Sequence, residues 1–89
     1  MESYSVFLTQ SAAKDLEEIG SDADRERITD RIRHLAEDPR PMGSVMLPGR
    51  RNRLRLRLGD YRVVYSADDA AQSVTLFRIA HRRDVYRGR

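Results

Sequence analysis

The residues best placed to do chemistry in this 89-residue chain are the arginines of Arg53-Leu54-Arg55-Leu56-Arg57-Leu58-Gly59-Asp60-Tyr61-Arg62. Strict alternation over six residues sends Arg53, Arg55 and Arg57 to one face of a strand and the three leucines to the other. Gly59-Asp60 lies between two strand-like runs, and a two-residue loop with glycine first suits a type II′ hairpin turn. That turn fixes a register in which Leu58 opposes Tyr61, Arg57 opposes Arg62, Leu56 opposes Val63, Arg55 opposes Val64 and Leu54 opposes Tyr65. One face is then Leu54, Leu56, Leu58, Tyr61, Val63 and Tyr65, a core surface. The other carries Arg53, Arg55, Arg57 and Arg62. Like charges directly opposed across a sheet destabilise it by up to about 1 kcal/mol per pair unless an anion neutralises them. The arginine face is therefore a candidate anion site. The competing reading is a solvated outer face, because 16 of the 17 basic residues are Arg and only Lys14 is Lys.

Composition narrows the class. A chain of this length is expected to form one domain, residues 1–89, with modest burial and little stability to spare. There is no cysteine, which excludes disulfides and cysteine zinc sites. No apolar run approaches the roughly 18 residues that span a bilayer, and Met1-Glu2-Ser3-Tyr4 lacks the basic start of a secretion signal, so a soluble, cytoplasmic protein without membrane partners is expected. Net charge is +3, but residues 1–39 hold five basic against ten acidic groups, a net of −5, and residues 40–89 hold twelve against four, a net of +8. A basic half on a small domain is the footprint of a protein that meets phosphate backbone or an acidic partner.

The elements that must position these residues can be read in order. Tyr4 to Leu8 reads as a short strand, after which Ser11 is a candidate cap for a helix running to Ile19, with Ala12, Leu16 and Ile19 as its apolar stripe. Gly20 ends it. Ser21 or Asp22 starts a second helix that buries Ile28, Ile32, Leu35 and Ala36 and ends at Asp38-Pro39. Val45-Met46-Leu47 is a short strand candidate before Pro48-Gly49, and the Arg-Leu hairpin follows. Val74 to Ala80 is apolar on both parities and is expected inside the sheet. The tail from His81 is a loop or short surface helix. The whole predicts an α+β fold, βαα followed by three or four antiparallel strands, with the helical hairpin packed on one sheet face and a short C-terminal tail.

The segments Pro39-Arg40-Pro41, Leu47-Pro48-Gly49, Arg55 to Tyr65 and His81-Arg82-Arg83-Asp84-Val85-Tyr86, with Tyr4-Ser5-Val6 and Ala13-Lys14-Asp15-Leu16 before them, together resemble the RelE family of bacterial toxins in the RelE/ParE superfamily. The resemblance covers nearly the whole chain. It implies the toxin of a type II toxin–antitoxin pair, a ribosome-dependent endoribonuclease that cuts messenger RNA without metal or cofactor and inhibits translation. Carried over residue by residue, it makes Arg55 and Arg57 the basic positions of the strand before the turn, Arg62 the arginine after the hairpin tyrosine, Arg82 the arginine at the leaving group, and Tyr86 the C-terminal tyrosine of the active site. It also implies a cognate antitoxin, whose acidic or amphipathic segment would fold onto the cationic face in a hetero-oligomer.

The chemistry implied is in-line attack by the RNA 2′-OH on its own phosphate, giving a 2′,3′-cyclic phosphate and a 5′-OH. Arginines fixed around the phosphorus oxygens suit the charge that builds there. Asp60, Asp68, Asp69 and Asp84 show no metal-ligand spacing, and His34 and His81 lie far apart in sequence. Some relatives have Lys where this chain has Arg, and Arg, with a pKa above about 12, is no practical base. The base is then Tyr86, acidified by neighbouring arginines, or His81, or neither. Packing remains the default role of Tyr61 and Tyr65, a solvated or capping role that of His81, and a surface position that of His34. Two rival functions share the scaffold: a ParE-like toxin that inhibits DNA gyrase, and a basic RNA-binding module without activity.

Overall fold

The computed structural model describes residues 3–49 and 52–85. Its elements in chain order are β1 (Ser5–Leu8), α1 (Gln10–Glu17), α2 (Asp22–His34), β2 (Val45–Met46), β3 (Arg53–Leu58), β4 (Tyr61–Asp68), β5 (Ser73–His81) and the short α3 (Arg82–Val85). The strands form one sheet in the order β1-β5-β4-β3-β2. Neighbours from β2 to β5 are antiparallel, whereas β1 runs parallel to β5, with Ser5 opposite Ser73 and Leu8 opposite Leu76. The expected βαα order followed by antiparallel strands is therefore present, with four strands after the helices.

The hairpin register is the one the turn chemistry dictates, from Leu58 opposite Tyr61 to Leu54 opposite Tyr65. Gly59 has φ +63° and Asp60 has no positive φ, the pattern of a II′ turn. Leu54, Leu56, Leu58, Val63 and Tyr65 are buried and form one core with Ala12 and Ile19 from the first helical segment and Ile28, Ile32 and Leu35 from the second. Each large aliphatic side chain buried this way stabilises the fold by roughly 1.5–3 kcal/mol.

Three helix boundaries depart from the sequence reading, the first being the end of α1 at Glu17 rather than Ile19. Thr9, not Ser11, caps α1: its hydroxyl oxygen accepts from the Ala12 N–H at 3.1 Å and its proton goes to the Phe77 carbonyl at 3.2 Å. The second bond ties the cap to β5, which a cap two residues earlier makes possible. Helix α2 stops at His34, and Leu35, Ala36 and Glu37 continue as a tighter turn whose N–H groups reach Ile32, Arg33 and His34 three residues back. Proline at 39 marks the end of that turn rather than of the helix.

Residues 36–44 form a strap across the end of the sheet. The Tyr4 N–H donates to the Ala36 carbonyl, and the Tyr65 hydroxyl to the Pro39 carbonyl, both at 2.7 Å. Asp69 accepts from Tyr4 at 2.7 Å and from Arg40 at 3.0 Å. The Arg40 guanidinium, then the Tyr4 hydroxyl, hold the Asp69 carboxyl below its ordinary range, while burial pushes the Tyr65 phenol up.

Strand β5 is interior, as its apolar character suggests, but its double parity has a further cause. Leu76 opposes Tyr65 and Arg78 opposes Val64, which leaves Phe77 as an extra residue in a β-bulge. Val74 and Leu76 before it and Ile79 after it all face the core. Beyond Leu8, where β1 no longer flanks β5, Asp15 of α1 takes over the exposed edge: one carboxylate oxygen accepts from the Ile79 N–H at 2.9 Å and from Arg78 Nε at 2.8 Å.

Candidate functional site

The face of β3 and β4 opposite the helices carries Arg53, Arg55 and Arg57 from β3 and Arg62 from β4. Arg57 is exposed and the other three are half-buried. Arg57 and Arg62 are directly opposed in the ladder, two charges on neighbouring strands about 5 Å apart. Arg57 Nε donates to the Gly59 carbonyl at 3.1 Å, which bends its guanidinium toward the turn. At the same turn the Arg82 N–H donates to the Asp60 carbonyl at 2.6 Å, so the start of α3 is fastened beside the hairpin end. Arg82 and Arg83 are exposed there.

The charge balance of this face differs from that of four arginines elsewhere in the protein. Arg25 pairs with Asp22, Arg27 with Asp24, Arg40 with Asp69 and Arg78 with Asp15. Among the described residues, none of Arg53, Arg55, Arg57 and Arg62 has a carboxylate partner. Four cations held on a rigid sheet without counter-charges form a surface of strong positive potential. Two concavities, of about 810 Å³ beside α2 and about 390 Å³ under Pro41, include none of these four arginines. The arginine face is open, which suits an extended polyanion better than an enclosed small molecule. No three His, Asp or Glu side chains converge as metal ligands among the described residues.

His81 is placed differently from the arginines. It opposes Tyr61 in the ladder, and that parity puts it with the core-side residues at the end of the sheet. Its ring meets the Tyr61 ring edge-on, with centroids 5.0 Å apart and planes at 87°. Its Nδ1 accepts the Arg83 N–H at 3.1 Å, so a neutral ring carries its proton on Nε2 and presents a donor. The register thus groups Arg55, Arg57 and Arg62, the Asp60 carbonyl holds the Arg82 backbone beside the hairpin end, and His81 stands apart. Tyr86 lies outside the described residues. His34 is exposed, its Nδ1 2.8 Å from the Asp30 carbonyl, and Tyr65 is a buried packing residue, as the sequence suggested.

One contact on the face escaped the sequence reading, although the alternation places Arg53 there. Arg53 reaches diagonally across β4 and lays its guanidinium carbon 3.8 Å from the centroid of the Phe77 ring. The only signal in the sequence was the broken alternation around Phe77, which an interior strand explained equally well.

A two-helix layer over a five-stranded mixed sheet, with an unpaired arginine face at a hairpin turn, defines a recognisable class of small α+β protein. The family model described as the ParE toxin of type II toxin–antitoxin systems matches residues 6–86. Toxin RelE of Mycobacterium tuberculosis is 31% identical over 84 residues, covering 94% of this chain and 87% of that protein. The chain belongs to the RelE/ParE family of type II toxins. Among solved structures, the archaeal RelE–RelB complex from Pyrococcus horikoshii matches with a TM-score of 0.79 and 26% identity over 90% of this chain and 96% of that one. The isolated Escherichia coli RelE toxin has the same fold, with a TM-score of 0.75 at 22% identity over 96% of this chain and 98% of that one.

Proposed function

We propose that this toxin is a metal-independent endoribonuclease that cuts messenger RNA in the ribosome and so halts translation. The observation that carries the reading is the set of four arginines on one rigid face without a carboxylate among them. In the proposed reaction the 2′-oxygen attacks the adjacent phosphorus, the bond to the 5′-oxygen breaks, and the ends are a 2′,3′-cyclic phosphate and a 5′-OH. Arg57 and Arg62, opposed across the ladder, hold the two non-bridging oxygens where negative charge grows, and Arg55 holds the phosphate alongside. Losing one such donor typically slows a reaction by two to three orders of magnitude. Arg82, fastened to the turn, clamps the departing 5′-oxygen as a fixed charge rather than as a proton source, and solvent water delivers the proton that makes it a 5′-OH.

Tyr86 is assigned as the base that takes the 2′-proton. His81 is the weaker candidate, because the lone pair it would need on Nε2 is replaced by a proton while Nδ1 serves Arg83. The same cationic face is the proposed dock for an acidic, amphipathic antitoxin segment, which would neutralise the arginines in a hetero-oligomer. An antitoxin partner is supported by the solved RelE–RelB complex of Pyrococcus horikoshii and the RelBE complex of Escherichia coli.

A second reading, a gyrase-directed toxin that cleaves nothing, is favoured by the match to the ParE model. Mapping the 5′ ends of messages after brief induction separates the two. Codon-positioned cuts confined to translated messages are expected. Intact messages accompanied by DNA double-strand breaks would replace the ribonuclease reading with the gyrase one.

A further inference from the structure

We propose that Arg53 and Phe77 form a stacking platform for one unpaired nucleobase of the RNA that crosses the arginine face. The inference rests on the nucleic-acid reading above and adds a base contact to what is otherwise a set of phosphate contacts. The bulge is its origin. Because Phe77 and Arg78 together oppose Val64, β5 places an additional side chain on the outer face, and that side chain is aromatic. Arg53 then sets its guanidinium carbon 3.8 Å from the ring centroid, within stacking distance, and the residue keeps part of its surface exposed. Arg53 is half-buried and has no carboxylate partner among the described residues.

A guanidinium seated over an aromatic ring has lost much of its freedom to reorient and can offer a planar, cationic surface to the next planar group. Unpaired bases stack on such planes. Position supports the assignment. Arg55 stands two residues along β3 from Arg53, about 7 Å, so a phosphate at Arg55 and a base on Arg53 belong to the same or adjoining nucleotides. Phe7, 56% exposed on the neighbouring edge strand, extends the apolar floor beyond Thr75, its partner in the ladder. A pair serving only to shield Phe77 would have the same geometry but no effect on RNA, and the experiment turns on that difference.

The test uses the whole protein and a five-nucleotide single-stranded RNA carrying 2′-O-methyl groups, which cannot be cleaved, followed by fluorescence anisotropy at low salt. A series in which each base in turn is removed, leaving the backbone, is compared with the intact oligonucleotide. Removing one particular base is expected to weaken binding roughly five- to 150-fold, the range for loss of one stacked base. Arg53→Lys, which keeps the charge and loses the plane, is expected to weaken the intact RNA by a similar factor with an unchanged salt slope. It should add nothing once that base is gone. Phe77→Leu, which keeps apolar cover, should weaken binding as well, since the ring supports the guanidinium. If every abasic RNA binds the parent protein as tightly as the intact one, the platform is refuted, and this arm needs no variant to fold. Message cleavage together with base-indifferent binding would remove the platform and leave the ribonuclease reading standing. Base-dependent binding lost in Arg53→Lys, with messages uncut in cells, would keep the platform and remove the cleavage.

Discussion

Replacing Arg62 by glutamine should make the free protein more stable while making it a poor nuclease. Arg62 opposes Arg57 directly, and neither is neutralised by a carboxylate among the described residues. Glutamine keeps most of the aliphatic stem that covers the sheet, so the change isolates charge from packing. Relief of one opposed like-charge pair is worth about 0.2–1 kcal/mol. For a domain of this size that corresponds to a rise in Tm of roughly 1–6 °C. The assay is thermal unfolding by circular dichroism in low salt, then in 1 M NaCl, where the screening length falls to about 3 Å and the advantage of Arg62→Gln should shrink. Millimolar sulfate should raise the Tm of the parent more than that of the variant, because the anion replaces the missing counter-charge. Cleavage on programmed ribosomes should drop by roughly two to four orders of magnitude. A variant that melts lower than the parent, or whose gain is indifferent to salt, would show that the arginine face carries no unrelieved repulsion.

Further expectations concern the strap and the acid–base group. Tyr65→Phe removes the donor to the Pro39 carbonyl and should cost about 1–3 kcal/mol in urea unfolding; an unchanged midpoint would mean that the strap is held elsewhere. The Asp69 carboxyl is held below its ordinary range by Arg40 and Tyr4. Its contribution is therefore complete above the unfolded carboxylate range and is lost as pH falls through the folded value, so the parent should lose stability below about pH 4 more steeply than Asp69→Asn; parallel acid titrations of the two would contradict this. Tyr86→Phe should leave ribosome binding intact and slow single-turnover cleavage, whereas His81→Gln should cleave at close to the parent rate; the opposite pattern would exchange the roles of the two residues.

The hairpin was legible because its information is local. Alternation sets the faces and a glycine-first turn sets the register, so Leu54 to Tyr65 could be placed without any knowledge of the rest of the chain. The helix buried faces follow from the same kind of periodicity. What could not be read depends on distant partners. Thr9 prevails over Ser11 as the cap because the Phe77 carbonyl, remote in sequence, takes its proton. The parallel pairing of β1 with β5 joins segments almost at opposite ends of the described chain, and no local pattern encodes it. Within the candidate site, Arg55, Arg57 and Arg62 were visible as a group, but the separation of His81 from them depends on the bulge and on a bond to the backbone of Arg83.

The bulge also separates two things that usually vary together. Counting from Leu76 to Ile79, both of which face the core, the regular pleat needs one residue between them and β5 supplies two. Deleting Phe77 would straighten the strand and leave Ile79 facing the core, so a one-residue deletion here spares the interior while stripping an aromatic group from the opposite surface. Chain length at this point is thus a variable on which ligand preference can drift while the hydrophobic interior keeps its alignment.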